Sequence, residues 1–149
     1  MSERYLADCI LCIQDAVGPV LEFMAYLDAR KPVRCYGYFV ELDGQRGGGK
    51  LITFKMLILM RVLGDMNGPS IIAQLNERLM CDAEYKYWFE QGRIGPPTIR
   101  FVSSSSFRDF REWRSTTNSI ALAQVKIPIA TIEQTLVRWM ESRVVAEVG

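Results

Sequence analysis

The sequence predicts an α+β fold, in which several helices pack against a small antiparallel sheet in one compact domain spanning residues 1–149. Segments with helical spacing of apolar residues are mixed with short segments rich in valine, isoleucine and aromatic residues. The two kinds of segment do not alternate as they would in a parallel sheet with crossover helices. The chain of 149 residues is 49% hydrophobic, which is enough to build one substantial core.

The first half of the chain is predicted to contain both strands and helices. Residues 5–17 are apolar and favour a helix, which Gly18 and Pro19 interrupt. Residues 33–42 suit a strand, or a short helix started by Pro32. The other predicted elements are a strand at residues 20–27, a helix at residues 51–66 and a helix at residues 71–80 capped by Ser70.

The second half of the chain is also predicted to contain both strands and helices. Aromatic residues dominate residues 84–91 and favour a strand or a hairpin arm. The further elements are a strand at residues 98–102, a helix at residues 107–114 capped by Ser106, a β-like segment at residues 120–127 and a helix that begins with the capping box of Thr131 and Gln134 and runs to about residue 145.

Composition excludes several classes of function. The chain has no histidine, which removes His-dependent nucleophilic catalysis and HExxH zinc sites. Its formal net charge is +1, so no global field attracts it to nucleic acid or membrane. No apolar run reaches the ~18 residues that a transmembrane helix needs. The first residues lack a secretory signal, so we expect an intracellular protein.

The four cysteines are predicted to be free thiols. Cys9 and Cys12 form a CxxC motif among apolar neighbours, and Cys35 and Cys81 are isolated in the sequence. A four-thiolate zinc site would use all four. Because their surroundings are apolar, we predict buried thiols and no metal site.

A glycine-rich stretch at residues 44–50 matches the GxxxxGK part of a phosphate-binding loop. Lys50 and Arg46 are candidate phosphate or partner contacts. Leu51 stands where the motif has the Ser or Thr that binds magnesium, so the motif is degenerate. The alternative is a flexible loop for self-association, with Gly47, Gly48 and Gly49 as its candidate residues.

Residues 107–114 have the most regular pattern in the chain. As a helix they place Phe107, Phe110 and Trp113 on one stripe, with basic residues on the adjacent stripe. The candidate contacts for phosphate or a partner are Arg108, Arg111 and Arg114. The alternative is a solvated face on which these arginines pair with acidic neighbours of the same helix.

Two local stretches carry a resemblance to a known family. Residues 26–36, YLDARKPVRCY, resemble a region of rhabdovirus matrix proteins, and residues 101–112, FVSSSSFRDFRE, resemble the C-terminal segment of vesiculovirus-type matrix proteins. The resemblance implies a structural protein that self-associates, condenses the viral nucleocapsid and links it to the envelope. Its implied partners are itself, the nucleocapsid and an anionic membrane surface, and its implied location is the virion and the host cell cytoplasm.

The leading hypothesis is therefore a viral matrix-type structural protein. The alternative is a small interaction or inhibitor module that binds a host protein, and a third hypothesis is nucleotide binding through the glycine-rich loop. Because no catalytic motif is complete, the sequence predicts no enzyme, no catalytic residue, no cofactor and no small-molecule substrate.

Overall fold

The computed structural model describes residues 1–43 and 70–149. These residues confirm the α+β class. The helices, in chain order, are α1 (Glu3–Leu11), α2 (Gln14–Val17), α3 (Ile71–Leu79), α4 (Ala83–Glu90), α5 (Ser106–Asn118) and α6 (Gln134–Glu141). The strands are β1 (Val20–Asp28), β2 (Cys35–Leu42), β3 (Thr98–Val102), β4 (Ala130–Thr131) and β5 (Val144–Val148).

The described strands form one mixed sheet in the order β4-β1-β2-β3-β5. The β1–β2 hairpin and the β3–β5 pair are antiparallel. The β2–β3 and β1–β4 pairs are parallel, so the prediction of a wholly antiparallel sheet is wrong. Each parallel pair joins strands that are far apart in the chain, because a parallel pairing needs a long crossover connection.

Helices cover both faces of this sheet. On one face, Tyr38 and Val40 pack with residues of α1 and α3. On the other, Met24 and Phe39 pack with Phe110 of α5 and residues of α6. Neighbouring side chains of a strand point to opposite faces, and β2 is buried on both. This explains its nearly continuous apolar sequence and decides the choice between strand and helix at residues 33–42 in favour of a strand.

Two segments predicted to be strands are not strands in the structure. Residues 84–90 belong to α4, not to a strand, because Asp82 caps this helix at the Tyr85 N–H (2.9 Å) and the Tyr85 ring is buried. Residues 120–127 form no strand but contain a 3-10 turn at Leu122–Gln124. Ile120 and Leu122 are exposed, so burial does not hold them in a strand.

The C-terminal helix begins later and ends earlier than predicted. Thr131 lies in β4 and its hydroxyl accepts from the Glu133 N–H at 3.0 Å, so α6 begins only at Gln134. The helix ends at Glu141, and the residues that follow pair with β3 as strand β5. Pairing with a buried strand therefore prevails over local helix propensity.

Two predictions lie outside the described residues: the helix at residues 51–66 and the structure of the loop at residues 44–50. The extent of the domain, residues 1–149, also stays a prediction. Among the described helices, none is long and apolar enough to cross a membrane.

Candidate functional site

Charged side chains gather on the α5–α6 face of the sheet, where apolar residues would be expected. They come from the end of β1 and the turn that follows it, from β3 and β5, and from α6. We call this group the ionic cluster; its members are Asp28, Arg30, Arg100, Glu141 and Glu147.

Arg30 joins the two halves of the ionic cluster. Its Nε and Nη2 donate to the two oxygens of Asp28 at 2.9 and 2.6 Å. Its Nη1 and Nη2 donate to the two oxygens of Glu147 at 3.0 and 2.7 Å. Both contacts are bidentate, the strongest arrangement that arginine makes with a carboxylate. Arg100 extends the cluster, because its Nη1 donates to Glu141 at 3.0 Å and its Nε lies 3.4 Å from Glu147.

Asp28 is the buried centre of the cluster, with 1% of its surface exposed. Burial alone would raise its pKa, but hydrogen bonds from the side chain and backbone of Arg30 and from Thr98 Oγ1 (2.9 Å) outweigh burial and lower the pKa to about 2. The same arginine lowers the pKa of Glu147. Both carboxylates are therefore ionised at neutral pH.

A glycine makes room for this arrangement. Gly37 of β2 faces Tyr26, and a Cβ atom at Gly37 would overlap the Tyr26 ring. The ring therefore lies against the β2 backbone, where it stacks on Phe39 with centroids 4.4 Å apart and donates to Asp28 from its hydroxyl at 3.3 Å. The Arg100 guanidinium lies 5.2 Å above the same Phe39 ring.

The chemistry of the ionic cluster follows from these contacts. Asp28 and Glu147 are ionised, and both are paired with the arginines of the cluster, so the cluster is poorly suited to transfer protons at neutral pH. What it provides is a fixed geometry, because one network ties β1, β3, β5 and α6 together. In the described part of the chain, no group of three His, Cys, Asp or Glu residues is placed to hold a metal ion.

The three arginines predicted on one stripe of α5 have different surroundings. Arg108 is the most exposed, with 68% of its side chain accessible, and pairs with acids of its own helix. Arg111 pairs with Glu22 of β1, where one contact measures 3.1 Å. Arg114 pairs with Glu133 through two contacts of 2.8 and 2.9 Å. Binding of a phosphate or a partner by these arginines stays a prediction.

The glycine-rich loop is a separate candidate site. Lys50, Arg46, Gly47, Gly48 and Gly49 all lie outside the described residues, and phosphate binding or self-association there stays a prediction.

Sequence reasoning missed the ionic cluster, although one signal was present. In residues 98–102 the side chain of Arg100 alternates with those of Ile99 and Phe101, and a charge on the inward side of a short strand requires a buried partner. Asp28 and Arg30 follow the strand predicted at residues 20–27, and Glu147 lies beyond the predicted C-terminal helix. These residues come together only because strands that are distant in the sequence pair with each other.

A second feature is an apolar cavity of about 350 Å³ at the β4 edge of the sheet. Leu27 and Ile132 line it and are exposed, and the tyrosines of its wall are Tyr26 and Tyr36. No charged side chain lines this cavity.

Comparisons with known proteins identify the fold. Residues 10–135 match the family model described as the GH3 family C-terminal domain. Of the solved structures, one described as GH3.15 acyl acid amido synthetase is 18% identical to this chain with a TM-score of 0.67, and the match covers 96% of this chain and 24% of that one. A second, AtGH3.15 acyl acid amido synthetase in complex with 2,4-DB, is 17% identical with a TM-score of 0.66, and covers 97% and 23%. No curated protein matches.

These findings overturn the resemblance to matrix proteins. The two stretches that carried it span the β1–β2 turn and the junction of β3 with α5, whereas the family model covers most of the chain. The predicted matrix function is therefore wrong, and so are the predicted nucleocapsid, membrane and host-protein partners and the predicted location in the virion. Self-association as the function of the protein is contradicted with it, and the comparisons do not favour nucleotide binding through the degenerate loop, whose residues 44–50 lie outside the described part of the chain.

The prediction that the protein is not an enzyme, and has no small-molecule substrate, is also contradicted, because the chain matches the GH3 family C-terminal domain and both structural matches of that family are described as synthetases. That prediction used missing catalytic motifs, but this chain spans only about a quarter of the synthetases it matches. Motifs absent from such a segment do not exclude an enzyme. The family match extends over well more than half of the residues, and the chain therefore belongs to the GH3 family, as a C-terminal domain of that family.

Proposed function

We propose that this chain works as the C-terminal domain of an acyl acid amido synthetase. The observation that carries the proposal is the family match over residues 10–135, supported by a fold that follows such synthetases over nearly the whole chain. The proposed reaction joins the carboxyl group of an acyl acid to an amine. A carboxylate is a poor electrophile, so a synthetase first activates it with a nucleoside triphosphate, which supplies a leaving group for the amine to displace.

The described residues of this chain are suited to a supporting part in that reaction. The sequence contains no histidine, and Asp28 and Glu147 of the ionic cluster are held ionised by arginine. We therefore propose that the residues that activate the carboxyl group belong to the part of a synthetase for which this chain has no counterpart. This domain would bound the reaction site and exclude water from it, a role in which precise position matters more than acid–base strength.

The ionic cluster fits that role because it stiffens the domain. Arg30 and Arg100 connect the β1–β2 turn, the edge strand β5 and helix α6. A domain that must present one surface reproducibly to the rest of an enzyme benefits from such cross-links, since errors of about 1 Å in positioning cost on the order of 10²-fold in rate.

A domain replacement tests the proposal. In the GH3.15 acyl acid amido synthetase, the segment that matches this chain is replaced by residues 1–149, and amide formation is followed by mass spectrometry with the acyl acid that the parent enzyme uses. The same enzyme truncated before that segment is the negative control. A folded chimera no faster than the truncated enzyme would contradict the proposal.

A further inference from the structure

Two cavities border strand β4 at the edge of the sheet. One is the apolar cavity of about 350 Å³, which lies beside the second half of β1. The other has a volume of about 410 Å³ and lies beside the first half of β1. Its apolar lining comes from α1, from β1 and from the segment before β4, and includes Leu11, Leu21, Phe23, Ile127 and Ile129. The charged residue in this lining, Glu22, is paired with Arg111 of α5, so both cavities offer apolar contact rather than a free charge.

The cavities are open because β4 is short. It pairs with Ala25 and Tyr26, two of the nine residues of β1. Pro128, shortly before β4, has no N–H group to donate to a ladder, and after Thr131 the chain turns into α6. Side chains on either side of β4 are therefore left at the surface.

The exposed side chains beside β4 are large and apolar. The exposed fraction is 61% for Leu21, 50% for Leu27 and 86% for Ile132. A shift in the pairing register of β1 with β2 leaves Leu21 outside the regular ladder. Together with Leu11, these residues form what we call the apolar edge, and they are four of the nine large apolar side chains that are exposed in the described part of the chain. Such a concentration is typical of an interaction surface.

We propose that the apolar edge is the surface through which this domain packs against the preceding part of a synthetase. This docking rests on the proposed function, and the occupant follows from the size of the relatives. The structural match covers 24% of the synthetase chain, so about three quarters of such an enzyme lies outside this domain. The partner surface is expected to be apolar, because a charge placed against Leu27 and Ile132 would lose its hydration without gaining a partner.

The other candidate face, formed by the arginines of α5, is already engaged within the domain. Arg111 is paired with Glu22, and Arg114 is paired with Glu133. A partner that used these two arginines would have to break existing ion pairs, whereas covering the apolar edge removes only its contact with water.

Thiol labelling tests the docking directly. Leu27→Cys and Ile132→Cys are introduced one at a time into the chain of residues 1–149 and into the chimeric GH3.15 synthetase, and alkylation at each position is followed by peptide mass spectrometry. Tyr87→Cys is the matched control, because Tyr87 of α4 is 55% exposed and lines neither cavity. We expect alkylation at positions 27 and 132 to be on the order of 10-fold slower in the chimera than in the chain, since a covered thiol reacts only after local opening. The rate at position 87 should be unchanged.

Equal rates in the chain and the chimera at positions 27 and 132 would overturn the inference, and so would slowing at position 87 alone. A dimer of the separate chain, detected by sedimentation, in which positions 27 and 132 are protected would also overturn it, because the occupant would then be a second copy. If the chimera does not fold, the same rates are measured after an excess of the truncated synthetase is added to the chain, with the same criteria.

The labelling is independent of amide formation. A folded chimera that protects the apolar edge but forms no amide would contradict the proposed function and not the docking surface. An active chimera in which positions 27 and 132 react freely would contradict the docking surface alone.

Discussion

Replacing Asp28 with asparagine tests the account of the ionic cluster most sharply. The substitution keeps the shape of the side chain and removes its charge. At the centre of the ionic cluster, Asp28 accepts hydrogen bonds from Arg30, from Thr98 Oγ1 and from the Tyr26 hydroxyl. The amide nitrogen of an asparagine is itself a donor, so at least one of these three groups would lose its acceptor. Arg30 would keep only Glu147 as its acidic partner.

The magnitude follows from the pKa of Asp28, which lies at about 2 against an ordinary value of 3.8. At ~1.36 kcal/mol per pKa unit, the ionised form is stabilised by about 2 kcal/mol in the folded protein. Removal of one partner of a buried ion pair costs ~3–5 kcal/mol when the other charge is left alone. Because Arg30 is partly exposed and keeps Glu147, we expect about 2–3 kcal/mol at pH 7.

The pH dependence of this stability difference distinguishes loss of the Asp28 charge from an effect on packing. Because the pKa of Asp28 is lower in the folded than in the unfolded chain, its contribution is fully present above the unfolded value of 3.8 and is lost as the pH falls from there through about 2. The free energies of unfolding of wild type and Asp28→Asn should therefore converge over that range.

Urea unfolding followed by tryptophan fluorescence measures this difference at pH 7, 5 and 3. Asp8→Asn is the matched control, because Asp8 is an exposed acid of α1, and we expect it to change stability by less than ~0.5 kcal/mol. A penalty for Asp28→Asn below ~0.5 kcal/mol, or one that stays the same from pH 7 to pH 3, would refute the reasoning.

Three further substitutions test the packing on the same face of the sheet. Gly37→Ala should destabilise by ~1–3 kcal/mol, because the new Cβ overlaps a Tyr26 ring that Phe39 keeps in place; equal urea midpoints for the variant and wild type would argue against this close approach. Phe110→Ala should cost ~3–5 kcal/mol because its ring is fully buried, and Trp113→Ala less than half as much because 39% of it is exposed. A larger loss of stability for Trp113→Ala than for Phe110→Ala in urea unfolding would mean that Trp113, and not Phe110, is the main contact of α5 with the core.

Local patterns were sufficient to predict the centre of the fold. The strand predicted at residues 98–102 is β3, and the strand predicted at residues 20–27 is β1 without its last residue. Ser70 does cap the helix that follows it, because its hydroxyl accepts from the Ala73 N–H at 3.2 Å. In each of these segments, local propensity, alternation and burial favour the same structure.

The misassigned elements are those whose structure depends on distant residues. The aromatic residues of α4 have strand propensity, but a helix lets Tyr85 and Phe89 stack on each other while Tyr85 enters the core. β5 is a strand because β3 offers it an unpaired edge. The ionic cluster could not be predicted for the same reason, since its members are brought together only by the pairing of β3 with β5 and by the β1–β2 turn.

The synthetase proposal concerns how this domain works with the rest of an enzyme. Its most direct test is the rate of amide formation by the chimeric GH3.15 synthetase that carries residues 1–149, measured beside the truncated enzyme. If the chain acts as a synthetase domain, the chimera should exceed the truncated enzyme by at least ~10-fold, since correct positioning is worth on the order of 10²-fold. A chimera that unfolds cooperatively, yet forms amide no faster than the truncated enzyme, would contradict the account.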